Sequence, residues 1–141
     1  MEDVAIIFTP WKKWLNRKSF EDANDQGVYL LAHFKENEIP VGAASPLDPN
    51  IIYIGDTRKQ TLAIRWSQFN RAAQNGAAGH AGGRTYYKRF GPLKKELCVA
   101  FFSPPSMSSE RIRSFYIRYV ESKLIWKYSQ MHKPDKLCNK S

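Results

Sequence analysis

Two tyrosines occupy short apolar runs of the same construction, Tyr29 in GVYLL at 27–31 and Tyr53 in IIYIGDT at 51–57. Read as strands, alternation puts Tyr29 on the side of Gly27 and Leu31, and Tyr53 on the side of Ile51 and Gly55. Each phenol then has a glycine two residues away on its own face, leaving open space where a packing tyrosine would want a full neighbour. A third polar residue interrupts an apolar surface. Glu121 has Ile117, Leu124 and Ile125 among its i±3 and i±4 neighbours, and a carboxylate there needs an ion pair, hydrogen bonds or a metal. Arg118 or Lys123 would serve for an ion pair, a divalent cation for the other reading. The stretch GAAGHAGGRTYYKRF adds a fourth feature. Gly79, Gly82 and Gly83 would let backbone N–H groups approach a phosphate, and His80 and Arg84 add donors. With a pKa near neutrality, His80 could also move a proton. A plain turn with an exposed histidine is the competing reading.

Holding these residues together takes strands that pair and helices that cover them. GVYLLAHF and IIYIGDT, joined by the Pro/Gly/Asn/Asp-rich ENEIPVGAASPLDPN, predict an antiparallel hairpin with both phenols on one face. TLAIRWSQFNRAAQ predicts a helix with Leu62, Trp66 and Phe69 on its apolar side and Arg65 outside that set. After the glycine-rich loop and a short helical turn at TYYKRF, ELCVAFFSPP predicts a third strand. SSERIRSFYIRYVESKLIWKYSQMH predicts a long helix capped by Ser108 or Ser109, with Pro134 beyond its end. Residues 1–26 read as an arm or short helix in which Trp11, Trp14 and Leu15, at i, i+3 and i+4, cap the core.

Composition bounds the partners. At 141 residues and 43% hydrophobic, the chain fits one domain able to bury a core without metal or disulfide support. Its net charge of +9 suits a polyanion. No basic amphipathic helix with a separate apolar face favours an anionic membrane instead. Cys98 and Cys138 lack metal or disulfide spacing and read as free thiols. The apolar stretch VAIIF is too short and wrongly flanked for a leader or span. The expectation is a soluble, cytoplasmic protein.

Gly27-Val28-Tyr29, Tyr53-Ile54-Gly55, an arginine on the next helix in LAIRWSQF and a glutamate on the helix after the third strand together resemble the GIY-YIG nuclease family. The resemblance spans the chain from about residue 27. Val28 replaces isoleucine, the loop between the motifs is long, and an arm precedes the core. The resemblance implies an α+β fold, a three-stranded antiparallel sheet flanked by helices, with 1–26 as the arm and 27–141 as the nuclease domain. It further implies hydrolysis of phosphodiester bonds in DNA, double-stranded in the expectation, with one divalent ion, Mg²⁺ or Mn²⁺. Tyr29 and Tyr53 would be the paired tyrosines, Arg65 the helix arginine, Glu121 the metal ligand and Asn139 the family's C-terminal asparagine.

Elementary chemistry gives these residues the same tasks. Phosphodiester hydrolysis needs an activated water and neutralisation of charge on the phosphoryl and leaving oxygens. Glu121 with a hard cation answers the second need, and Arg65 suits the non-bridging oxygens. Tyr29 could take the water's proton if neighbouring positive charge lowers its pKa from about 10, with Tyr53 orienting the water. His80 could assist either end. Arg84, Lys88, Arg89, Lys94 and Lys95 read as DNA-backbone contacts, which give affinity without sequence preference.

Other chemistries fail on spacing. AGHAGGRT lacks the first glycine and the lysine of a phosphate-binding loop and follows a helix. The Glu121-Ser122-Lys123 triplet has no partner aspartate on a preceding strand, and the histidines and cysteines lack zinc spacing. The rival is a nucleic-acid-binding domain of the same architecture that does not cut, followed by a scaffold for an acidic protein. Neither needs two tyrosines, an arginine and a glutamate in this order.

Overall fold

The computed structural model describes residues 4–139; residues 1–3 of the arm and residues 140–141 lie outside the described residues. Four strands form one antiparallel sheet: β1 (Lys12–Lys13), β2 (Gly27–His33), β3 (Ile51–Thr57) and β4 (Leu97–Phe102), in the lateral order β1-β4-β2-β3. The class is α+β as expected, but the sheet has four strands and not three. The extra one comes from the arm, where Lys12 pairs with Val99 and Lys13 with Cys98. Without it β4 would present open hydrogen-bonding groups, and lysines suit such an edge.

This pairing also undoes the helical spacing of the arm. The chain stays extended through Lys13 and enters a 3₁₀ helix only at Trp14–Ser19. Trp11 therefore packs on one face of the sheet, its ring 5.2 Å from that of Phe34, and Trp14 on the other, 5.4 Å from Phe69. Leu15 is left exposed.

Both faces of the sheet are covered, so its strands are apolar almost throughout. On one face α3 (Glu110–Met131) packs Ile117, Val120, Leu124 and Tyr128 against Val28, Leu30, Ile54 and Ala100. On the other, α1 (Leu62–Asn75) and α2 (Ala81–Phe90) pack Trp66, Phe69 and Tyr86 against Tyr29, Leu31, Val99 and Phe101. The caps follow the residue types. Thr61 accepts from Ile64 N–H at 3.2 Å, Ser109 from Ile112 N–H at 3.1 Å, and Gly76 closes α1 at a left-handed φ of 76°.

The hairpin pairs Tyr29 with Gly55 and Leu31 with Tyr53, which puts both phenols on one face. Ala32 then pairs with Ile51, so Ile52 is an extra residue, a β-bulge. Simple alternation fails there: Ile51 joins the α3 face with Ile54, and Ile52 joins the face of the tyrosines.

A buried arginine ties the arm to the long helix. Arg113 donates to Asp25 Oδ2 at 2.9 Å, to Gln26 Oε1 at 2.9 Å and to Pro104 O at 2.7 Å. No helix among the described residues is long and apolar enough to cross a membrane, and both cysteines are free and buried.

Candidate active site

Tyr29 is fully buried and Tyr53 only partly, their ring centroids 5.7 Å apart. The glycines do not leave empty space beside them, contrary to the expectation. A Cβ on Gly55 would lie 2.4 Å from Tyr53 Cε2 and 2.8 Å from Tyr29 Cζ, so the two rings fill its place. Gly27 serves another end: its Cβ would meet the Phe102 carbonyl oxygen at 2.3 Å, a close approach of β2 to β4. The second glycine at the phenols is Gly82, whose Cβ would lie 2.4 Å from Tyr53 Cε1. Tyr53 is thus held between glycines of β3 and α2.

That contact overturns the phosphate-loop reading of the glycine-rich stretch. Helix α2 begins at Ala81, not at TYYKRF, and Gly82 and Gly83 are buried in its first turn. Gly83 approaches Phe69 and Ala72 of α1, where a Cβ would come within 2.8 Å of Ala72 Cβ. Gly79 alone remains in the loop, at a φ of 119° with nothing near a Cβ. His80 is neither exposed nor near neutrality. It is 2% exposed, and desolvation, with Arg65 adding to it, pushes its pKa down to about 3. The ring caps α2, its Nδ1 accepting from Gly83 N–H at 3.1 Å. The neutral ring's proton is therefore on Nε2, which faces Tyr29 Oη at 2.9 Å and donates to it. Held neutral by burial, the ring does not suit the role of an acid towards a leaving oxygen.

The phenols' acidities also run against the initial expectation for Tyr29. Burial first, then Tyr53, raise the Tyr29 pKa well above 10, outweighing Arg65. Burial and Glu121 push Tyr53 up to about 12, while Arg65 and the hydrogen bond with Tyr29 pull it down. Both phenols are therefore protonated at neutral pH, and Tyr53, the one only partly buried, is the one a substrate could reach.

Tyr53 feels both Arg65 and Glu121, which arrive from opposite faces of the sheet at edge strand β3. Arg65 donates to Gln68 Oε1 at 2.7 Å and Gly79 O at 3.2 Å, and forms no ion pair among the described residues. Glu121 makes no ion pair within 4.0 Å among them either, so neither Arg118 nor Lys123 neutralises it directly. Burial and the charge of Asp56 push its pKa up to about 7. Asp56 itself is raised by burial, and its buried Oδ2 accepts no hydrogen bond; Arg58 Nε lies 3.5 Å away. Sequence reasoning missed Asp56, although it follows Gly55 directly.

This donor set fits a hard cation. Two carboxylates repel one another and one buried oxygen lacks a donor, a situation that a divalent ion relieves. No group of three or more ligating side chains occurs among the described residues. One or two carboxylates, completed by water and phosphate, are the usual environment of Mg²⁺.

The remaining expected residues divide. Asn139 is committed to structure: Nδ2 donates to Ile54 O at 2.6 Å and Oδ1 accepts from Ile54 N–H at 3.1 Å, covering the edge of β3. Arg84 and Lys88 are exposed on α2, whose first turn holds His80 and Gly82. Arg89 donates to Lys136 O. Lys94 and Lys95 precede β4 at its Leu97 end, opposite His33, about 13 Å along β2 from Tyr29 and away from the phenols. The buried Tyr86 bridges that end, its hydroxyl 2.8 Å from His33 Nε2 and accepting from Lys94 N–H.

Compared with known proteins, the chain matches no family model, no curated protein and no solved structure.

Proposed function

We propose that the chain is a GIY-YIG-type endonuclease that hydrolyses phosphodiester bonds of duplex DNA with the help of a divalent ion, Mg²⁺ or Mn²⁺. One observation carries the reading: Tyr53, partly open on edge strand β3, packs against the rings of Tyr29 and His80 and feels the charges of both Arg65 and Glu121. Glu121, with Asp56 beside it, would hold the ion, and the bound ion would neutralise charge on the phosphoryl and leaving oxygens.

The chain's own groups supply the rest. Arg65 has guanidinium donors left after its bonds to Gln68 and Gly79, and these bind the non-bridging oxygens of the phosphate. Tyr53, with a pKa of about 12, would first give its own proton to solvent, and the resulting phenolate would take the proton of the attacking water and return to phenol. His80 donates to Tyr29, whose own hydroxyl proton is then free to turn towards Tyr53 and would steady the phenolate there. Arg84 and Lys88 extend positive charge along α2 for the DNA backbone.

Incubation of the purified chain with plasmid DNA and Mg²⁺ tests the proposal. Nicking or cleavage is expected, and Glu121→Ala and Arg65→Ala should each abolish it while DNA binding survives. Binding without cleavage across metals, pH and branched or single-stranded substrates would favour a domain that binds and does not cut.

A further inference from the structure

Between the arm and the flank of α1 lies a cleft of about 450 Å³ that the proposed chemistry does not use. Arg17 and Lys18 bring two cations to it, the half-buried Phe20 an aromatic ring with the buried Trp66 behind it, and Glu21 and Asn24 polar groups. Arg17 is the informative member. Its guanidinium lies 4.4 Å from the centre of the Trp14 ring, and Nη1 donates to Trp14 O at 3.1 Å. Although half-buried, it makes no ion pair within 4.0 Å among the described residues, even with Glu21 bordering the same cleft. An unpaired guanidinium, held in place and partly desolvated on a concave wall, is a preformed receptor for an anion.

The rest of the cleft narrows the class of anion. Its volume falls in the range of small-ligand sites, and an aromatic wall beside cations suits a base attached to a phosphate. Placement on α1 matters as well. Ala63, Trp66 and Ser67 line the cleft from one flank of the helix, and Arg65 leaves from the opposite flank at 100° per residue.

We propose that this cleft receives one unstacked nucleotide of the bound strand, on the far flank of α1 from the scissile phosphate. Its phosphate sits on Arg17 and Lys18 and its base against Phe20. Glu21 and Asn24 meet the base edge, and a carboxylate there favours a base with an exocyclic amine over thymine. The cleft would thus contribute sequence preference near the cut, and this rests on the reading of the chain as a DNA nuclease.

The test is a titration of the ¹⁵N-labelled full chain, without metal, by a deoxycytidine tetranucleotide, a thymidine tetranucleotide, deoxycytidine monophosphate and inorganic phosphate. The resonances followed are the amides of Phe20, Asn24 and Ser67 and the indole N–H of Trp66. The cytidine tetranucleotide should shift them saturably and bind at least fivefold more tightly than the thymidine one. Arg17→Gln should weaken this at least fivefold, and Lys18→Ala, at an exposed position that cannot unfold the chain, at least twofold. The proposal is overturned by no shift at these resonances, by equal affinity for both tetranucleotides, by tighter binding of the mononucleotide, or by phosphate alone giving the same shifts. Shifts without plasmid cleavage would support the cleft and sink the nuclease reading; cleavage without shifts would sink the cleft alone.

Discussion

Replacing Glu121 by glutamine separates a metal-binding carboxylate from a structural one, because the two roles predict opposite changes in stability. Burial and Asp56 move the Glu121 pKa from 4.5 to about 7 on folding. A carboxyl group whose folded pKa is raised holds its proton more tightly in the folded state. Its contribution to stability is complete below pH 4.5 and is lost as pH rises through 7. At about 1.4 kcal/mol per pH unit, ionised Glu121 costs the fold at most about 3 kcal/mol at pH 8. Solvent screening of this part-exposed group reduces that to about 1–2 kcal/mol. Glutamine keeps the shape and removes the charge at every pH. In EDTA at pH 8 the Glu121→Gln chain should therefore melt about 3–6 °C above the parent. The gap should close as pH falls to 4. Added Mg²⁺ should raise the melting temperature of the parent at pH 8 and leave that of the variant unchanged, and cleavage should be lost. A variant that melts below the parent at pH 8 in EDTA, or a gap independent of pH, would show that Glu121 is a stabilising partner and refute the reasoning.

Three further outcomes are expected. Gly82→Ala forces a Cβ to within 2.4 Å of the Tyr53 ring; it should cost about 1–3 kcal/mol in denaturant titration and lower cleavage at least tenfold while leaving DNA affinity intact. With His80 held at about 3, its imidazole should stay neutral in an NMR titration from pH 8 to 5, and the pH–rate profile should have no limb from a histidine. Its lowered pKa gives a contribution to stability that is present above pH 6.5 and fades as pH falls through 6.5 towards 3. Arg113→Met removes the link from α3 to Asp25, Gln26 and Pro104; thermal melts should show a loss of about 3 kcal/mol, and proteolysis should then begin in residues 16–26.

Much of the frame was legible from local chemistry. Periodicity in TLAIRWSQF, a cap at Ser108 or Ser109, and the paired runs around Tyr29 and Tyr53 each depend on neighbours within a few residues, and the structure has the helices and hairpin there. The interruption of the α3 stripe by Glu121 was equally visible, because its apolar neighbours are three and four residues away. The arm misled because its helical spacing competed with a sheet edge almost ninety residues further along the chain. The glycines misled for a related reason: a glycine near a histidine and an arginine reads as a place for phosphate, and only the packing of α2 on β3 shows that the Tyr53 ring takes the space.

The sequence by itself determined that Tyr29 and Tyr53 sit on strands and Arg65 and Glu121 on helices, in that order. These follow from side-chain type and from periods of two and 3.6 residues. Only the tertiary structure decided their protonation and their partners. Burial is a property of the whole packing, so it alone could make His80 neutral, raise Glu121 to about 7 and set Tyr29 behind Tyr53. The charge of Asp56 reaches Glu121 for the same reason, since a strand and a helix more than sixty residues apart meet only when the core between them closes.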